Sequence, residues 1–189
     1  MTIYDKGLLR AMKAAYKDSG YYVAMTDNGV LIQTAYWGVE ITADAVPNSV
    51  KSLIVLHNGS MPKMNTAVCV QKNECASAIL ETVISTMDDL SKGFAATGGV
   101  PIKPTRLTFD GMRVWQTTTD LKLRLVDVDD QQILAGENVD AHLICGFIYG
   151  RTWFGGMYVR PQMIEQEDRG LINHLAEMQW IPVEMEVAR

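Results

Sequence analysis

Residues 21–37 read YYVAMTDNGVLIQTAYW, two runs rich in aromatic and branched residues around Asp27-Asn28-Gly29. Asn-Gly supplies the positive φ that tight hairpin turns require, so this stretch predicts a β-hairpin. Val39 to Thr42 adds a further strand. Downstream, an apolar run at Leu53 to His57 reads as a two-sided, central strand, followed by a strand at TAVCVQ (66–71) and an acidic helix from about Glu74 to Leu90. A second, fainter series has the same order. It starts at Asp110-Gly111 with MRVWQT, continues through a two-sided strand at His142 to Tyr149 and a strand at GMYVRP (156–161), and ends in a helix from about Gln162 to Met178. The two series are offset by roughly 83 to 91 residues, the trace that a tandem module leaves and that convergent packing also produces.

The expected fold class is therefore α+β. Two similar β-rich modules with antiparallel sheets and three helices pack as one body, with residues 1–92 and 105–189 as the modules. Ser91 to Pro104 (SKGFAATGGVPIKP) concentrates Gly and Pro, and residues 93–104 read as the loop between them. The third helix opens the chain. Leu8, Leu9, Met12, Ala15 and Tyr16 share one face, Asp5 is placed to cap the start and Gly20 to end it. A last strand is expected over Trp180 to Val187.

The chain has 189 residues, 48% of them hydrophobic and 21% charged, a composition that supports a packed core and not a disordered chain. Its apolar runs are shorter than the roughly 18 residues that cross a bilayer, and its first residues lack the apolar stretch of a signal peptide. No membrane partner and a cytoplasmic location follow as expectations. Cys69, Cys75 and Cys145 form an odd, scattered set, which fits free thiols in a reducing compartment.

The chemistry-bearing patterns each fall short. His142 and Cys145 are three apart, which on one strand sends them to opposite faces. His57 stands beside the Asn58-Gly59 turn, and His174 shares a helical face with Glu177, too few ligands for a metal. Gly93 and Gly98 match the phosphate-loop spacing, but Gly99-Val100 occupies the place of the Lys and Ser or Thr. Asp127, Asp129 and Asp130 lack the Gly and terminal Glu of a calcium loop. Ser60-Met61-Pro62-Lys63 has Ser-x-x-Lys spacing with no room for the helix that pairs those side chains. No cofactor is called for, and an enzyme is the less favoured class.

Two surfaces stand out. Lys6, Arg10, Lys13 and Lys17 recur at steps of three or four and form one basic stripe on the first helix. In Tyr149 to Arg160 (YGRTWFGGMYVR), Arg151, Trp153, Phe154 and Arg160 surround Gly155-Gly156, a composition of partner-binding anchors. The leading expectation is a non-enzymatic binding protein that contacts DNA through the basic helix. In architecture alone, repeated helix-plus-sheet modules with a basic helix are similar to sliding clamps, which encircle DNA with Lys- and Arg-bearing helices. A net charge of -5 and two acidic helices run against a wholly basic surface. The alternatives are a protein-partner or self-assembly module using residues 149–160, and a dispersed enzyme site of hydrolytic type drawing on His57, His174, Ser60 or the Asp127 cluster.

Overall fold

The computed structural model describes residues 3–134, 140–152 and 155–162, together with positions 170, 174, 175, 178 and 180. The first helix, α1 (Ile3–Lys17), leads into a meander of β1 (Tyr21–Thr26), β2 (Gly29–Gln33) and β3 (Trp37–Thr42). Helix α2 (Asn48–Asn58), the hairpin β4 (Thr66–Gln71) and β5 (Glu74–Ala78), and helix α3 (Leu80–Thr97) follow. Then come β6 (Val100–Phe109), β7 (Met112–Thr117), β8 (Leu123–Asp127), a 3-10 turn over Asp130–Ile133, and β9 (Asp140–Ile144), β10 (Phe147–Thr152) and β11 (Gly155–Val159). The architecture is α+β, with α1, α2 and α3 and, among the described residues, an antiparallel sheet in the order β5-β4-β1-β2-β3-β11-β10-β9-β6-β7-β8.

The hairpin over 21–33 forms as expected, and its glycine, at φ 155, has a second task. Thr26 pairs with Gly29, so Asp27 and Asn28 make the turn and Gly29 opens β2. A Cβ at Gly29 would lie 2.0 Å from the Ile41 carbonyl oxygen, so close approach by β3 is what demands glycine there.

Several other elements differ from the sequence reading. Leu53–His57 is helical, part of α2. The helix enters through extended Pro47 and ends at Gly59 (φ 83), whose N–H bonds the Val55 carbonyl at 2.8 Å. Four consecutive apolar residues fit either period. Here the helix buries Leu53 and Ile54 and leaves Val55 and Leu56 in solvent. Glu74–Ala78 is strand β5, and the helix starts only at Leu80. It runs on to Thr97, so residues 93–104 are not a loop: Gly98-Gly99 alone connects α3 to β6. Pro101 and Pro104 sit within β6, whose register with β7 shifts between Pro104 and Thr108. His142–Tyr149 is broken by a turn at Cys145 (φ 49) and Gly146 (φ 85) and belongs to two strands. The two series thus do not match element for element at this step, where one has a helix and the other a hairpin. Helix α1 begins at Ile3, two residues before the expected Asp5 cap, and does end before Gly20 (φ 82). Residues 163–169 and 181–189 lie outside the described residues, and with them most of the helix expected over 162–178 and the strand expected over 180–187.

Each sheet face carries its own helices. Leu8, Met12 and Ala15 of α1 and Val50, Leu53 and Ile54 of α2 pack with Val23, Ile32, Val39 and Met157 from one face. Val83, Met87 and Leu90 of α3 pack with Ala24, Leu31, Tyr149 and Tyr158 on the other. A smaller cluster gathers Val114, Leu123 and Leu125.

The two meanders meet where β3 pairs with β11, through Trp37 with Val159, Gly38 with Tyr158 and Val39 with Met157. Tyr158 lies across Gly38: a Cβ there would come 2.4 Å from its ring. The buried Tyr158 hydroxyl donates to Gln33 Oε1 at 3.1 Å, tying β11 to β2 across the intervening strand. Gly38→Ala is expected to destabilise the chain by about 1–3 kcal/mol through overpacking. Tyr158→Phe should cost about 1–2 kcal/mol by stranding the Gln33 amide. Urea denaturation checks both, and Gly38→Ala combined with Tyr158→Leu should cost less than the sum of the singles.

Candidate functional site

Helix α1 places its apolar face on the sheet because Leu8, Met12 and Ala15 recur at helical spacing. The same periodicity turns Lys6, Arg10, Lys13 and Lys17 outward, and all four are exposed. Together with Leu9 and Ala14 they line an open trough of about 480 Å³ along the helix. Arg10 Nη2 lies 3.0 Å from Asp129 Oδ1, with both side chains more than half exposed, at 64% and 61%. A pair so exposed is worth little and leaves Arg10 free to exchange partners.

A second hollow of about 210 Å³ adjoins the stripe, between the end of α1, the β2–β3 turn and the 3-10 turn. Arg10, Asp18, Tyr36, Trp37, Asp129 and Asp130 are among its walls. Burial, then the neighbouring Asp127 and Asp129, pushes the Asp130 carboxyl up to about 6. Asp127 Oδ1 meanwhile accepts from the Asp129 N–H at 2.7 Å, the bond of an ordinary Asx turn. The basic stripe is therefore bordered by an acidic one, a juxtaposition between distant segments that only the fold creates.

His57 sits in the last turn of α2. Its ring stacks on Tyr16 at 3.7 Å between centroids and 8° between planes, and Nδ1 lies 2.9 Å from the Tyr21 hydroxyl. Burial lowers its pKa, and the nearby Lys13 lowers it further. The imidazole serves as packing between α1, β1 and α2.

On the opposite face, His142 is on β9, with Nδ1 2.8 Å from the Gly98 carbonyl and Nε2 3.2 Å from Asp140 Oδ1. Cys145 is in the following turn, so the two do not share a strand. Arg151 stands 6.0 Å from the Phe94 ring and Arg160 6.0 Å from the Phe147 ring, so both arginines lie against the chain's own aromatics. Trp153 and Phe154 are outside the described residues, as is Glu177, the expected neighbour of His174. Ser60 and Lys63 lie in the connection between α2 and β4. Among the described residues, no three His, Cys, Asp or Glu side chains gather as a metal-binding group, and no helix is long and apolar enough to cross a membrane.

One polar position went unnoticed in the sequence. Glu40 lies inside β3, its carboxyl raised by burial and by Asp88 and partly lowered by Arg151. Its signal was a carboxylate between Val39 and Ile41, where the strand alternates. No protein-family model, curated protein or solved structure matches this chain.

His57 and Asp130 have opposite linkage. His57 has its folded pKa below the ordinary 6.5, so the unfolded chain takes up the proton first and stability falls as pH drops below that value. Asp130 is raised from 3.8 to about 6, so its protonated form favours the fold and that contribution is lost as pH rises through 6. Asp130→Asn should stabilise the chain at pH 7.5 and have little effect near pH 4, with a gain on the order of 1 kcal/mol after allowance for solvent screening. His57→Phe should flatten the loss between pH 7 and 5. Thermal melts across pH read both.

Proposed function

We propose that this chain is a non-enzymatic binding protein that engages an anionic partner, DNA in the first instance, along the outward face of α1. The supporting observation is the exposed row of Lys6, Arg10, Lys13 and Lys17 on one side of a helix whose other side is fully occupied by the core. Among the described residues, Arg10 alone of the four is in an ion pair, and that pair is weak. Cations spaced by one turn, about 5.4 Å, track a phosphate backbone by point contacts without reading bases.

The net charge of -5 and the adjoining Asp18, Asp129 and Asp130 set a limit on this reading. Binding confined to one helix is local, salt-sensitive and modest, in contrast to proteins whose whole surface is basic. The acidic border would repel phosphate and orient the partner along the helix. In residues 149–160, the exposed Arg151 and Arg160 stand 6.0 Å from the Phe94 and Phe147 rings.

Fluorescence anisotropy of labelled single- and double-stranded DNA tests the reading. With four phosphate contacts the log–log salt slope is about -3.6, a fall of roughly 100-fold in affinity between 50 and 200 mM salt. Lys6→Glu, Lys13→Glu and Lys17→Glu combined should abolish binding with the circular dichroism spectrum unchanged. Absence of wild-type binding at low salt, or equal binding by the variant, would overturn it.

A further inference from the structure

The sheet has two ends, and they are finished differently. At β8, Gln162 bridges to Leu125, its N–H bonding the Leu125 carbonyl at 2.8 Å, and the strand carries Arg124 and Asp127. At the other end β5 lies last in the sheet order and, among the described residues, pairs with β4 alone. Proteins commonly protect such an edge with Lys, Pro or a bulge. Strand β5 reads Glu74-Cys75-Ala76-Ser77-Ala78 and pairs with β4 without interruption from Gln71↔Glu74 to Ala67↔Ala78, so none of these devices is present. Its first four residues are exposed, and Ala78 is its one residue packed on a core cluster. A strand that buries so little is marginal when held by a single ladder.

We infer that β5 is a pairing edge and that its partner is β5 of a second copy of this chain, antiparallel about a twofold axis through Ala76. The register follows from the hairpin. Gln71 and Glu74 close a two-residue turn and form the first hydrogen-bonded pair, so Ala76 also directs its backbone groups to β4, while Cys75 and Ser77 direct theirs outward. Pairing Cys75 with Ser77 of the second copy satisfies those outward groups and matches all five residues of each strand.

Charge fits the same register. Glu74 faces Ala78 of the second copy, so no carboxylates oppose, and the exposed Lys72 approaches the exposed Glu81 at the start of the second copy's α3. The small side chains of Cys75, Ala76, Ser77 and Ala78 let the backbones close without obstruction. The twofold keeps α1 and α2 of both copies on one side of the extended sheet. Helix α2 packs on α1 and β4 and reaches this edge at its C-terminal end, where the Cys75 thiol donates to the His57 carbonyl at 3.6 Å. Its exposed Val55 and Leu56, at 41% and 77%, then flank the seam. The inference is independent of the reading of α1, because no residue of the basic stripe takes part.

Light scattering after size-exclusion chromatography of the full chain should give the mass of a dimer. Ser77→Pro removes an outward N–H while leaving the β4 ladder, and should halve that mass with the circular dichroism spectrum retained. Independently, Ser77→Cys places a thiol directly opposite Cys75 of the second copy, at a Cα separation of about 5.5 Å that suits a disulfide. Copper-phenanthroline oxidation should then yield a dimer on non-reducing gels, and the yield should be lost when Cys75→Ala is added. A monomeric wild type at high concentration, a dimer that persists in a folded Ser77→Pro variant, or cross-linking that survives Cys75→Ala would overturn the proposal.

Discussion

Tyr158 lying across Gly38 is the contact on which the sheet's continuity rests. Among the described residues, strands β1–β5 and β6–β11 are joined in the ladder by β3 and β11, over three residue pairs. Three residue pairs make a short seam, and the phenol strengthens it in two ways. It covers the seam on the α3 side with a fully buried aromatic ring, and its hydroxyl reaches over β3 to Gln33 on β2. Both effects need the absence of a side chain at position 38. The cluster beneath α1 makes the same connection on the other face, since Trp37, Val39 and Ile41 pack with Ile148, Met157 and Val159.

The helices inherit their roles from this sheet. Helix α1 lies on one face with its cations outward, and the 3-10 turn brings Asp129 and Asp130 beside it. The result is a positive row with a negative margin on a chain of negative net charge. A basic helix of this kind acts locally because charges beyond about 8–10 Å are screened at ordinary ionic strength. His57 shows the complementary outcome. A residue with the chemistry for catalysis is committed to a stack with Tyr16 and a hydrogen bond with Tyr21, and its lowered pKa reflects burial and Lys13.

Legibility in the sequence followed how local the determining physics was. The hairpin over 21–33 and helix α1 were readable because alternation and a 3.6-residue period are properties of adjacent residues. Leu53–His57 was misread because an unbroken apolar run carries no period, and the choice between strand and helix fell to Pro47, Gly59 and the space left beside α1. Residues 93–104 looked like a linker from their Gly and Pro content. Yet Gly93 lies within α3 and Pro101 and Pro104 within a strand whose register is broken nearby, so composition signalled irregular backbone and not a boundary.

For the candidate site the division is similar. Spacing alone put Lys6, Arg10, Lys13 and Lys17 on one helical face, since that is geometry internal to the helix. The sequence by itself determined the α+β class, the first hairpin, the amphipathic α1 and its basic stripe. Only the tertiary structure decided that Arg10 meets Asp129, that Glu40 is partly buried near Asp88 and Arg151, that Tyr158 crosses Gly38, and that β5 comes last among the described strands of the sheet. Each of these depends on which distant strands become neighbours, and strand order is fixed by the collective burial of two sheet faces, which no local pattern encodes.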